Sequence, residues 1–194
     1  MAKDSRTAMV QSAASLIGAH GVNATSFSDV IGHSGAPRGS IYHHFPGGKQ
    51  QLAENAIEWT STQIMAHIES CPASTPGATL EWFISLWRGV VEVSKASTGC
   101  AVVGVAVDTS AGEEILGSVR SAFRSWTASL ADRLEASGLA SDQAHDVALT
   151  AVAAMEGALI ICRAERSAQP LTEIGRQLLR LVPDVSRDDP KRDN

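Results

Sequence analysis

Between Thr25 and Gln51 the chain reads TSFSDVIGHSGAPRGSIYHHFPGGKQQ, and this stretch constrains the fold more than any other. Ser26 and Asp29 stand three apart, the spacing at which a serine hydroxyl accepts an early backbone N–H while the acid reaches back to the cap. Phe27, Val30 and Ile31 then fall on one helical face. Gly35 suits the positive φ that commonly closes a helix, and Pro37 is tolerated only in the first turn of the next one. The spacing predicts two short helices joined by a glycine turn. Ile41, Tyr42 and Phe45 are expected to anchor the second helix, with Arg38, Ser40 and His43 on its more exposed faces. Upstream, Met9, Ala13, Leu16 and Ile17 recur at helical spacing and Gly21 supplies a stop. Three helices in this order, the last opening on a basic residue, have the layout of a helix-turn-helix, whose second member enters the DNA major groove.

Past residue 48 the pattern is helix after helix. A long one is expected from Lys49 to about Ser70, then a break over Cys71-Pro72 to Pro76-Gly77, then a helix from about Ala78 to Ala96. The apolar segment from Cys100 to Val107 is β-branched enough for a buried strand, but no partner strand exists elsewhere, so a short buried helix is the better reading. Glu113 to Ser137 forms another helix, with two acids in its first turn to suit the helix dipole and Gly138 to end it. Residues 141–168 are rich in Ala and Gly, and small side chains let helix axes approach closely. Leu171, Ile174, Leu178 and Leu181 form a stripe that must be buried against something. The expected fold is all-α: a helix-turn-helix head at 1–48, a larger helical domain at 49–182, and a charged, disordered tail at 183–194.

Net charge is −5, which at first argues against a nucleic-acid partner. Residues 1–50 carry Lys3, Arg6, Arg38 and Lys49 against Asp4 and Asp29, a surplus of +2. The other 12 basic and 19 acidic residues leave −7 for the remainder. Phosphate attraction is local, because salt screens fields over about 8–10 Å. No continuous apolar run approaches the roughly 18 residues of a membrane span. The start, MAKDSRTAM, lacks a secretory core, and Cys71, Cys100 and Cys162 are too few and scattered for a disulfide framework. A cytoplasmic protein without membrane contact is expected.

The run Thr25-Ser26-Phe27, Val30-Ile31, Gly35, Arg38-Gly39-Ser40-Ile41-Tyr42-His43-His44-Phe45 and Lys49 resembles the TetR family of bacterial transcriptional regulators. FPGGK and GCAVVGVAVD look like its LmrA/YxaF-type branch. The resemblance implies a twofold homodimer through the helices at 141–168 and 171–182, facing the two halves of a palindromic double-stranded operator. It also implies a small hydrophobic or aromatic effector that releases a repressor by changing the spacing of the two reading heads. Arg38 is the expected base reader, because its fork matches guanine O6 and N7. Thr25, Ser26, Tyr42, His43 and Lys49 are expected on phosphate, Ser40 on backbone or base, and Gly39 to permit close approach. Pro37 replaces a serine common in the family, and Gly47-Gly48 replaces a stronger cap.

For the effector, soft and apolar residues from separate helices are the candidates: Phe83 and Trp87, Cys100 and Val103, Phe123 and Trp126, Met155 and Leu159. The same residues would equally serve as plain core. An alternative regulator answers to cysteine oxidation or a protein partner, through Cys100 and Cys162. A helical enzyme or ligand carrier is the remote alternative. No Cys-x-x-Cys or His-x-x-x-His pair is present, and Cys100 has no histidine near it in sequence, so no catalytic residue, metal or cofactor is expected.

Overall fold

The computed structural model describes residues 5–72, 74–108 and 112–183. The helices are α1 (Ser5–His20), α2 (Phe27–Ser34), α3 (Ser40–His44), α4 (Gly48–Glu69), α5 (Pro76–Ser94), α6 (Ala101–Ala106), α7 (Glu113–Ala136), α8 (Ser141–Glu165) and α9 (Gln169–Leu178), followed by a 3₁₀ turn at Leu179–Leu181. No strand occurs among the described residues, and the segment after Cys100 is the short helix α6. Lys3, Asp4, Thr109 to Ala111 and the tail beyond Pro183 lie outside the described residues.

The head is built as its sequence dictates. Ser26 caps α2 reciprocally: its Oγ accepts from the Asp29 N–H at 3.1 Å, and its own N–H donates to Asp29 Oδ2 at 2.9 Å. Gly35 closes α2 at φ 68°, a left-handed conformation that costs a side-chain-bearing residue about 1–2 kcal/mol. Two expectations need correction. Pro37 precedes the helix proper, because α3 starts only at Ser40, whose N–H donates to the Pro37 carbonyl at 3.0 Å. Tyr42 does not anchor α3: it is 69% exposed, while Ile41 and Phe45 are buried.

One continuous core joins the head to the larger domain. In α7, Trp126 is fully buried and donates its Nε1–H to Ser61 Oγ of α4 at 3.0 Å. Phe83 of α5 meets Trp87 edge-on at 6.2 Å, and burying each such side chain is worth about 1.5–3 kcal/mol. The stripe turns toward its own chain: Leu171 and Leu178 are buried, Ile174 is half-buried and the Gly175 backbone lies against Ile84 of α5, whereas Leu181, in the 3₁₀ turn past α9, is 45% exposed and falls outside the expected buried stripe. By length and composition α8 could cross a membrane, despite the expectation from continuous apolar runs, because its many alanines, valines, leucines and isoleucines surround few charges, but half of its most apolar stretch is buried inside the chain.

The contact between head and larger domain is unusually close. An added Cβ at Gly18 of α1 would lie 2.2 Å from the Gly99 carbonyl oxygen, and one at Gly104 of α6 would lie 2.6 Å from the Ile17 carbonyl oxygen. Backbone therefore rests on backbone across the α1–α6 seam, with no side chain between to absorb a shift.

Candidate nucleic-acid interface and effector cavities

The α2–α3 unit presents its polar residues on a frame already satisfied within the chain. Arg38, Gly39, Tyr42 and His43 are exposed. The Tyr42 ring stands edge-on against Phe27 at 5.6 Å, which steadies it while its hydroxyl faces outward. Ser40 Oγ donates to the Pro37 carbonyl at 2.7 Å and Ser26 Oγ donates to Asp29 Oδ2 at 2.6 Å, so both hydroxyls keep acceptor capacity for a further donor but have used their protons. Thr25 is buried and its hydroxyl donates to the Gly21 carbonyl at 2.8 Å, so the chain directs it inward. Lys49 Nζ donates to the Asn23 carbonyl at 2.9 Å, leaving two N–H donors for a phosphate.

Electrostatics follow from the caps. Asp29 is held below its ordinary range, first by the Ser26 hydroxyl and backbone, and then by the charges of His20 and Lys49. Its negative charge is thereby committed to the α2 cap. Gly39 has ordinary helical φ of −74°, and a Cβ there would meet nothing within 4 Å. Nothing inside the chain requires a glycine at this position. Sequence reading missed Gln51, whose Oε1 accepts the Gly47 N–H at 2.9 Å and completes the weak glycine start of α4. It also missed His33, joined through Nδ1 to Ser12 Oγ at 3.0 Å, which ties α2 to α1. A glutamine four residues past a glycine was a readable signal for the first; the second depends on tertiary contact.

The eight effector candidates do not meet in one cavity. A cavity of about 730 Å³ between α1, α4 and α5 includes Trp87 and Cys100, with Trp59, Ile64 and Val90 among its apolar walls. A second, of about 530 Å³ between α1, α6 and α8, includes Cys100, Val103 and Leu159, together with Gly18, Glu156 and Arg163. Phe83, Trp126 and Met155 are buried and Phe123 is half-buried, edge-on to Trp126 at 5.2 Å; none of the four lines either cavity. Both cavities lie against α1, whereas these four large side chains fill the domain's centre. The Trp87 Nε1–H is buried without a partner.

Cys100, shared by both cavities, is a poor redox sensor. Burial, and then the nearby Glu156 carboxylate, push its thiol well above the ordinary range, so it stays protonated and weakly nucleophilic. All three cysteines are buried and unpaired. Among the described residues no group of three or more His, Cys, Asp or Glu side chains could hold a metal ion.

The geometry matches known proteins along nearly the whole chain. Residues 10–56 match the model of bacterial regulatory proteins of the tetR family, and residues 76–177 match the C-terminal domain of LmrA/YxaF-like transcriptional regulators. A transcriptional regulator of the HTH type from Mycobacterium tuberculosis strain H37Rv is 35% identical over 185 residues, covering 91% of this chain and 93% of the relative. The HTH-type transcriptional regulator YxaF of Bacillus subtilis is 30% identical over 183 residues, covering 92% and 95%. In fold, the regulatory protein TetR from Rhodobacter sphaeroides superposes with a TM-score of 0.82 at 16% identity, over 93% of this chain and all of that one. A cysteine mutant of the regulator CifR, complexed with 26-base-pair operator DNA, does so with a TM-score of 0.71 at 17% identity, over 91% and 96%. These relatives are named as transcriptional regulators, not enzymes. The chain belongs to the TetR family of DNA-binding transcriptional regulators, among those with an LmrA/YxaF-like C-terminal domain.

Proposed function

We propose that this regulator is a cytoplasmic, homodimeric repressor that leaves a palindromic operator when a small apolar or aromatic effector binds. The observation that carries the DNA reading is the exposed set of Arg38, Tyr42 and His43 on a capped α2–α3 frame, beside a Gly39 that the chain itself does not need. Arg38 reads a guanine edge, while Tyr42, His43 and Lys49 hold phosphates and Ser26, whose own donors are spent on Asp29, fixes the first turn of α2 so that its free amides can face one. Ser40 acts as an acceptor, Gly39 lets the strand approach, and Thr25 serves by fixing the turn into α2.

Pairing is carried by the outer face of α8. Leu149 and Ile160 are 53% and 57% exposed and sit three helical turns apart, with Ala153 and Gly157 between them. A stripe of that kind on a long helix suits a second copy of itself. The outer side of α9 flanks it, its own leucines being already buried within the chain. Two copies place two α3 helices for half-sites about 34–36 Å apart. The effector occupies the larger cavity, where Trp59, Ile64, Trp87 and Val90 meet an apolar body and polar side chains such as Gln11, Gln63 and Thr60 meet its polar groups. A ligand there presses on α1, which carries the reading head.

The test is binding to the intergenic region upstream of the protein's own gene, across a salt series. Wild type is expected to bind selectively, with affinity falling steeply as salt rises. Arg38→Ala is expected to lose about 10- to 100-fold, equivalent to about 1–3 kcal/mol for one bidentate base contact. Unchanged binding by Arg38→Ala would remove it as the base reader.

A further inference from the structure

The smaller cavity is lined by a buried acid that has no counter-ion. Glu156 is the lone charged residue between Asp146 and Arg163 of α8, it is 7% exposed, and neither carboxylate oxygen has a well-formed hydrogen bond. The groups that face it are the Cys100 thiol just before α6, His20 at the end of α1, and Arg163 on its own helix. His20 and Arg163 are exposed and stand at the cavity's outer side; Arg163 is seven residues on, about 10 Å along the helix axis. Neither forms an ion pair with Glu156. Between these two ends the walls are apolar: Ile17, Val103, Val107 and Leu159. A buried carboxylate without a counter-ion is costly, and chains that keep one generally use it.

We propose that the cavity between α1, α6 and α8 binds a small monovalent organic cation, a protonated amine on an apolar body, with Glu156 as its counter-ion. An ammonium carries several N–H donors and can satisfy both orphaned oxygens at once, which a single hydroxyl cannot. The volume of about 530 Å³ suits a small ligand. His20 and Arg163 at the outer side disfavour a second positive charge and admit the apolar end. Both Glu156 oxygens are covered by their neighbours, so binding includes a rotation of the side chain into the cavity.

Burial raises Glu156 from 4.5 to about 7, with the Cys100 thiol offsetting part of that rise. The ammonium binds the ionised form, whose share climbs from roughly one-tenth at pH 6 to roughly nine-tenths at pH 8. Affinity therefore rises about tenfold over that range, during which an alkylamine stays protonated. His20 also lines the cavity, but any influence it has survives removal of Glu156, and so the two are separable.

The probe is n-hexylammonium, with 1-hexanol as its neutral match, titrated calorimetrically into the full chain at pH 6 and pH 8. The measurement is made without DNA, so a failure of the repressor reading leaves its outcome unaffected. Wild type is expected to take one hexylammonium per chain, about tenfold tighter at pH 8, and to prefer it to hexanol. Glu156→Gln should lose both the preference and most of the pH dependence. Val103→Phe, which fills the cavity and leaves the carboxylate in place, should weaken both probes. Absence of hexylammonium binding, or equal affinities in wild type and Glu156→Gln, would overturn the proposal. Thermal melts check that each variant is folded; should Glu156→Gln unfold, equal binding by wild type and Val103→Phe would overturn it instead.

Discussion

In the head, Arg38, Tyr42 and His43 stand in solvent on α2 and α3, whose ends are closed by short-range hydrogen bonds, Ser26 with Asp29 and Ser40 with Pro37, and which the His33–Ser12 contact ties to α1. At the seam of α1, α6 and α8 the reverse holds: Glu156 and Cys100 are buried, and the contacts that place them join residues more than eighty positions apart, Gly18 with Gly99 and Ile17 with Gly104. The head can be altered one side chain at a time without moving its neighbours. The seam cannot, because its backbones touch. A regulator needs both properties, a surface free to suit its operator and a joint stiff enough to pass a displacement to it.

The largest expected effect breaks the joint. In Gly18→Ala the new methyl would sit 2.2 Å from a backbone oxygen, a clash that no rotamer relieves. Overpacking of this severity is expected to destabilise by about 3 kcal/mol or more. In a chain of this size that lowers Tm by about 6–12 °C or more. Gly89→Ala in α5 is the control, since a Cβ there meets nothing within 4 Å. It should stabilise by about 0.5–1 kcal/mol, as a glycine in a helix interior usually allows. Equal effects of the two substitutions, read by thermal unfolding, would show that the seam is loose.

Next in size is the pH dependence of Glu156, which sharpens the same contrast from the electrostatic side. Its folded value of about 7 lies above the unfolded 4.5, so the folded chain holds an extra proton between those limits. Stability therefore falls as pH rises from 4.5 to 7, and the loss is complete above 7. At 1.36 kcal/mol per unit the full loss is about 3 kcal/mol, as an upper bound. Glu156→Gln removes it. The variant should match wild type near pH 4.5 and exceed it at pH 8, with Tm higher by up to about 6–12 °C. A constant difference between the two melting curves across pH would sink this assignment.

The same division decides what could be read from the sequence. Cap, turn and buried anchors of α2 and α3 were legible because each depends on residues three to ten positions apart, and Ser26, Asp29, Gly35, Ile41 and Phe45 behave as their spacing predicts. Tyr42 misled, because an aromatic at helical spacing looks like core until its face is known. The helices of the larger domain were legible from periodicity, but not which large side chains would fill its centre. Phe83, Trp126 and Met155 are indistinguishable in sequence from cavity walls; only the packing of α4, α5, α7 and α8 separates them from Trp87 and Val103. Glu156 did leave a signal, a single charge in the apolar stretch 147–162, and Gly99 and Gly104 gave none without their partners on α1.

The smallest expected effect lies in the head and tests whether its frame is as local as its hydrogen bonds suggest. Ser26→Ala removes the acceptor for the Asp29 N–H and the hydroxyl that donates to Asp29 Oδ2, at a cost of about 1 kcal/mol for a lost cap. Asp29 is depressed in the folded chain, so its contribution is present at neutral pH and lost as pH falls through that lowered value. Without Ser26 Oγ its titration should move back toward the ordinary carboxylate range, which a carbon-detected NMR titration of the Asp29 carboxyl would follow. Amide exchange should quicken in the first turn of α2 and stay unchanged at Ile17, Gly18 and α6, because no hydrogen bond of the cap reaches the seam. Faster exchange in α6 as well would mean that the cap and the joint form one cooperative unit. A change of one serine in the head would then be felt at the seam of α1 and α6, and the separation between a free surface and a stiff joint would no longer hold.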